Sequence, residues 1–196
     1  MDQASKLREI VKLKENKEKN SIEYSTARVI AITSGKGGVG KTSLSVNLSA
    51  LAVKEGKKVL IIDGDLGLSN VEIMLGINPV YTMRDLVKKK KDIEDVIVKG
   101  PMGLDFISGG NGFLDILELS DVDREEILIK LKKLDNIYDI IIIDTGAGIS
   151  KNVISFLMLA DEVIVITTSE PTALMDAYSM IKILTEKKRE LNLGLI

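Results

Sequence analysis

The sequence predicts a three-layer α/β fold, a mainly parallel sheet with helices on both faces. Three observations carry this. Short apolar runs alternate with longer amphipathic stretches along most of the chain, as strands buried on both faces require. The first of these runs leads directly into a glycine-rich loop and a helix. The composition is that of one globular domain, with 196 residues of which 45% are apolar and 29% charged.

Residues 2–14 place Leu7, Ile10, Val11 and Lys14 at helical spacing, and residues 15–20 carry no apolar side chain. The chain therefore opens as a short helix (1–14) on a solvated linker (15–27), and the α/β domain occupies 28–196. RVIAIT (28–33) is the first strand, followed by a helix over 42–54. VLIID (59–63), LDFIS (104–108), IIIID (140–144) and EVIVIT (162–167) are the later strands. Residues 82–91 and 92–99 read as short helices, and 121–134 as a longer one with an acidic start and a basic end. The lysines at 88–91 are a solvated face. Residues 171–190 are helical in pattern, and LGLI (193–196) begins another strand, so a domain truncated at its C-terminus is expected.

The chain has neither Cys nor His. Thiol and imidazole chemistry is thereby excluded, and any metal must sit among oxygens, which favours Mg²⁺. Without Cys the reading is cytoplasmic. A formal charge of -2 gives no global attraction to nucleic acid, and no direct nucleic-acid partner is expected. The apolar stretch over 153–166 is broken by Asp161 and Glu162, so no segment spans a membrane.

Two motifs fit the glycine-rich loop. Gly35, Gly37 and Gly40 satisfy the dinucleotide pattern GxGxxG, with Asp63 where a ribose-binding acid would sit. Gly35, Gly40, Lys41 and Thr42 also satisfy the phosphate loop GxxxxGK[ST]. A pyrophosphate held by amides has no use for Lys-Thr after the third glycine. A triphosphate with Mg²⁺ needs both, a cation for its terminal oxygens and a hydroxyl for the metal. Asp144, ending the isoleucine run, supplies the distal carboxylate such a site requires. The expected nucleotide-binding set is Gly35, Lys36, Gly37, Gly38, Val39, Gly40, Lys41, Thr42 and Ser43.

The stretch KGGVGKT resembles the deviant phosphate loop of the MinD/ParA family of ATPases. The resemblance implies a P-loop NTPase fold and Mg²⁺-dependent ATP hydrolysis that is slow in rate. It further implies an ATP-bound homodimer in which Lys36 reaches the partner's phosphates. On the same resemblance Thr42, Asp63 and Asp144 support the metal, Asp65 polarises the attacking water and Asn70 helps to position it. Lys36, Lys41, Asp65 and Asn70 form the catalytic set. Asp176 resembles the acid that pairs with the signature lysine. Gly146 stands where division-site members usually have proline.

Within that family, DTGAGISKNV and the N-terminal DQASKLR resemble the branch that regulates flagellar number and placement, FlhG, also called FleN or YlxH. That resemblance implies that Asp2, Gln3, Ala4, Leu7 and Arg8 stimulate the signal-recognition-type GTPase FlhF. It also implies contacts with C-ring and basal-body proteins, and peripheral membrane association through a later helix. The alternative readings are a MinD-type division-site regulator or a ParA-type partitioning ATPase.

Overall fold

Successive residues of a buried strand face opposite ways, and the first strand shows what each face is for. The computed structural model of this chain describes residues 27–65, 70–110, 121–187 and 191–196, without the side chains of 121, 123 and 124. Its strands are β1 (Arg28–Ser34), β2 (Val59–Gly64), β3 (Ile97–Lys99), β4 (Asp105–Ile107), β5 (Ile140–Ala147), β6 (Glu162–Val165) and β7 (Asn192–Leu195). Its helices are α1 (Lys41–Lys54), α2 (Asn70–Leu75), α3 (Met83–Val87), α4 (Asp121–Lys132), α5 (Lys151–Leu159) and α6 (Pro171–Lys187). Val29 and Ala31 of β1, with Leu60, Ile62, Ile141 and Ile143, bury one sheet face beneath α4, α5 and α6. Ile30 and Ile32, with Val59, Ile61 and Ile142, bury the other against Leu44, Leu48 and Ala52 of α1 and Val71 of α2. This is the three-layer arrangement that the uninterrupted isoleucine runs require.

The strands form one 7-stranded sheet in the order β3-β4-β2-β5-β1-β6-β7. All pairs are parallel except β3 with β4. That exception corrects the expectation of a helix over 92–99. Only Glu94–Val96 makes a 3₁₀ turn, and Ile97 and Val98 then pair with Ile107 and Phe106 as an edge strand. Edge pairing with a buried aromatic outweighs the weak local helical pattern of this charged stretch. The helix expected over 82–91 is also shorter. Thr82 and Asp85 cap it reciprocally at the start, and Lys89, at φ 55°, adopts left-handed backbone just beyond its end.

At the end of the sheet away from the glycine-rich loop, Tyr138 Oη donates to Asp105 Oδ2 at 2.8 Å, and Lys99 Nζ lies 2.6 Å from the same oxygen. Burial, then the Asp105 contact, holds the Tyr138 hydroxyl above its ordinary range. The N-terminal helix and the linker as far as residue 26, including Asp2, Gln3, Ala4, Leu7 and Arg8, lie outside the described residues.

Candidate nucleotide site

Backbone pairing assembles the site. Asp63 of β2 and Asp144 of β5 are register partners, and Asp144 also pairs with Ile32 of β1. Residues 35–40 follow β1, so the glycine-rich loop sits over the carboxyl ends of the central strands, where parallel sheets open a crevice.

The loop turns on its glycines. Gly38 and Gly40 adopt φ of 77° and 97°, a left-handed backbone that other residues enter only at a cost. A Cβ at Gly37, Gly38 or Gly40 would meet nothing within 4 Å, so their amides border open space of the kind a phosphate fills. Gly35 has a different reason. A Cβ there would overlap the side chain of Asp176 on α6. Val39 is half-buried against the α1 side of the core and anchors the tip.

Lys41 begins α1 and is buried. Burial lowers its ammonium from the ordinary value, while Asp144 and then Asp65 pull it back up. The Asp144 carboxyl is raised, first by burial and also by Asp65, against hydrogen bonds from Thr42 and Ser45 and the charge of Lys41. Asp63 is fully buried and raised well above the ordinary carboxylate range by burial and then by Asp144. Its Oδ1 accepts the Asp65 amide at 3.1 Å and its Oδ2 the Val71 amide at 3.3 Å. Asp63 thus holds the backbone on both sides of residues 66–69, and Asn70 begins α2 beside it. A Cβ at Gly146 would stand 3.6 Å from the Asp65 carboxylate, ordinary contact distance, so that carboxylate lies against the carboxyl end of β5.

Asp144 and Asp65 both act on Lys41, and Asp63 adjoins Asp144, so three carboxyl groups crowd one ammonium where a phosphate would enter. A divalent cation shared with phosphate oxygens removes that conflict, and a hydroxyl beside carboxylates is a donor set for a hard cation. Among the described residues no group of three or more His, Cys, Asp or Glu side chains could hold a metal alone. Thr42, placed on the Asp144 carboxyl, is the hydroxyl that fits such a shared shell.

Two residues were not legible as site residues from the motif. Ser45 Oγ contacts both Asp144 Oδ1 at 2.9 Å and the Lys41 carbonyl at 3.0 Å. The signal for it is spacing, because Lys41, Ser45 and Ser49 lie four apart along the buried face of α1. Glu170 is the other. Lys36 Nζ pairs with Glu170 in this structure, whereas the resemblance pointed to Asp176, which instead packs against Gly35. Ser43 is exposed on the first turn of α1.

A glycine-rich phosphate loop between the first strand and first helix of a mainly parallel sheet defines the class of P-loop α/β domains. The chain belongs to the family described as AAA domain, which matches residues 27–195. Among curated relatives, the antiactivator FleN of Pseudomonas aeruginosa is 38% identical over 80% of this chain and 56% of its own length. The flagellum site-determining protein YlxH of Helicobacter pylori is 36% identical over 97% of this chain and 64% of its own. The chain thus spans less than two thirds of either relative. Among solved structures, the septum site-determining protein MinD of Pyrococcus horikoshii, complexed with Mg-ADP, superposes with a TM-score of 0.76. That match is 31% identical and covers 86% of this chain and 69% of that one. The resemblance to MinD/ParA ATPases and their flagellar branch, read from KGGVGKT and DQASKLR, is borne out by these relatives. Among the described residues no helix is long and apolar enough to cross a membrane.

Proposed function

We propose that this chain is a Mg²⁺-dependent ATPase switch of the FlhG type, acting on flagellar number and placement. The observation that carries the reading is the cluster of buried Lys41, Asp63 and Asp144 with half-buried Thr42 and Asp65 under an open glycine loop. It provides phosphate amides, a cation seat and a carboxylate for water in one crevice. Bound Mg²⁺ would neutralise charge on the transferred phosphoryl group.

The chain's own residues then divide the work. Amides of residues 35–40 and Lys41 hold the phosphates, and Thr42 presents its hydroxyl beside Asp144 for the metal. Asp63 fixes the backbone that carries Asp65, and Asp65, half-buried against Gly146, orients the attacking water, with Asn70 beside it. With no His in the chain a carboxylate is the natural group for that task. Lys36, exposed and held only by a surface pair, is free to exchange Glu170 for the phosphates of a second copy in an ATP-bound dimer. A cation delivered across an interface in this way is worth roughly 10³ to 10⁵ in rate. ATP hydrolysis by the purified chain tests the reading: Asp65→Ala should abolish turnover while ATP still binds, and turnover at the parent rate sinks the assignment.

The chain divides, on this reading, into an activator helix (1–14), a linker (15–27) and the ATPase domain (28–196). The alignment with YlxH supports the flagellar branch over the division-site one, because it covers 97% of the chain and so runs into the segment before residue 27. In that segment Gln3 would orient water in the active site of the partner GTPase FlhF, with Asp2, Ala4, Leu7 and Arg8 docking it. C-ring and basal-body proteins are the other partners, and the protein works in the cytoplasm with peripheral membrane association in its dimeric full-length state. A peptide of residues 1–14 should stimulate FlhF hydrolysis of GTP, and Gln3→Ala should remove the effect. No stimulation by either the peptide or the whole chain overturns this part.

A further inference from the structure

A cavity of about 300 Å³ opens between α4, α5 and the sheet, lined by none of the residues assigned to the nucleotide. Its floor is apolar sheet, including Val29 and Ile141, and its walls carry Leu131 and Met158. A cavity of roughly 150 Å³ accepts a benzene ring, so this one has room for about two aliphatic side chains. Asp135 and Asp161 stand at its mouth, with Lys132 as the opposing charge. Burial and then the charge of Asp161 hold the Asp135 carboxyl above its ordinary value, against the pull of Lys132. The rim is therefore acidic beside an apolar interior.

The described chain begins at this mouth. Ala27 lines the cavity, and its amide donates to the Asp135 carbonyl at 2.7 Å. Everything before residue 27 is thus tethered within reach of the opening. Gln3, Leu7, Ile10, Val11 and Lys14 follow the spacing of one helical face, apolar in the middle and cationic at the end nearest the tether.

We infer that this face of residues 1–14 docks into the cavity of its own chain, with Leu7 and Ile10 inside, Val11 against its edge and Lys14 at the Asp135–Asp161 rim. An amphipathic helix laid into an apolar groove is a standard mode of recognition, and here the charges of segment and rim are complementary. The tether of residues 15–26 has a root-mean-square span of about 20 Å, which gives an effective concentration on the order of millimolar. A face that binds only at millimolar strength as a free peptide is thus about half docked within the intact chain. Because Gln3 lies on the docked face, docking withholds it from any partner. That consequence rests on the proposed role of Gln3, while the docking itself does not.

Methyl spectroscopy of the intact chain with labelled methionine tests the inference, since Met158 lines the cavity and Met175 lies exposed on α6. Leu7→Asp with Ile10→Asp, both ahead of the described residues, should move the Met158 signal to its position in a chain lacking residues 1–14 and leave Met175 unmoved. The intact-chain signal should not change on tenfold dilution, and the free 1–14 peptide should restore it to the shortened chain only near millimolar concentration. A Met158 signal identical in the intact and substituted chains overturns the docking. A signal that drifts with dilution overturns it too, by placing a second copy's segment in the cavity. Failure of the peptide to stimulate FlhF would remove the activator reading and leave the Met158 result standing.

Discussion

Gly35→Ala separates the two reasons for glycine in the loop. A Cβ on Gly35 would overlap the Asp176 Cβ and stand 2.9 Å from the Asp176 carbonyl carbon and 3.1 Å from its Cα. Carbon pairs prefer roughly 3.5–4.0 Å, and the obstacle includes backbone inside the 17-residue α6, which cannot swing aside as a side-chain tip would. Overpacking of this kind costs about 1–3 kcal/mol. Each kcal/mol lowers the melting temperature of a domain this size by about 2–4 °C, so a loss of roughly 5 °C is the central expectation. Gly37→Ala is the control, because a Cβ there meets nothing within 4 Å. It should melt with the parent in circular dichroism and yet bind ATP more weakly, since its methyl projects into the space meant for phosphate. Equal melting of Gly35→Ala and the parent, or an equal fall for both variants, would refute the steric argument.

Three further outcomes follow from the geometry. Ser45→Ala removes a buried donor from Asp144 and should cost about 1–3 kcal/mol in urea unfolding, with weaker nucleotide binding. Asp135→Asn should stabilise the chain at neutral pH. The carboxyl is raised in the folded state above its ordinary 3.8, so its contribution is complete below that value and is lost as pH rises through the folded one. Variant and parent melting curves should accordingly converge in acid and separate toward neutrality, and the opposite trend would contradict the burial of this group. Glu170→Gln breaks an exposed ion pair and should leave the melting temperature unchanged while raising ATP turnover, if release of Lys36 limits its reach to a second copy.

The loop and its strands were readable because each carries a signal that tolerates few alternatives. Lys41-Thr42 after Gly40 distinguished triphosphate from dinucleotide chemistry, and the isoleucines before Asp144 identified a central strand and the carboxylate at its end. Ser45 was invisible because an isolated helical serine ordinarily faces water, and only the proximity of β5 gives it a carboxylate. Residues 92–99 were misread because their acids suggest a helix start, while the partner that makes Ile97 and Val98 a strand lies beyond the next turn. The Lys36–Glu170 pair depends on how the start of α6 approaches the loop, a long-range arrangement that no local pattern encodes.

The pairing of Asp63 with Asp144 has one more result. These carboxylates are neighbours because adjacent central strands are in register, so no loop movement can part them without breaking the middle of the sheet. Burial, with crowding by neighbouring carboxyls, raises both above their ordinary values and so costs the fold stability toward neutral pH, and a ligand that brings positive charge beside them offsets that cost. At a hundred times its Kd, any ligand adds about 2.7 kcal/mol. Where opening is fast relative to cleavage, proteolysis follows the open population, so molecules holding such a ligand should outlast empty ones by about a hundredfold. Occupancy would then govern how long each copy survives as well as what it does.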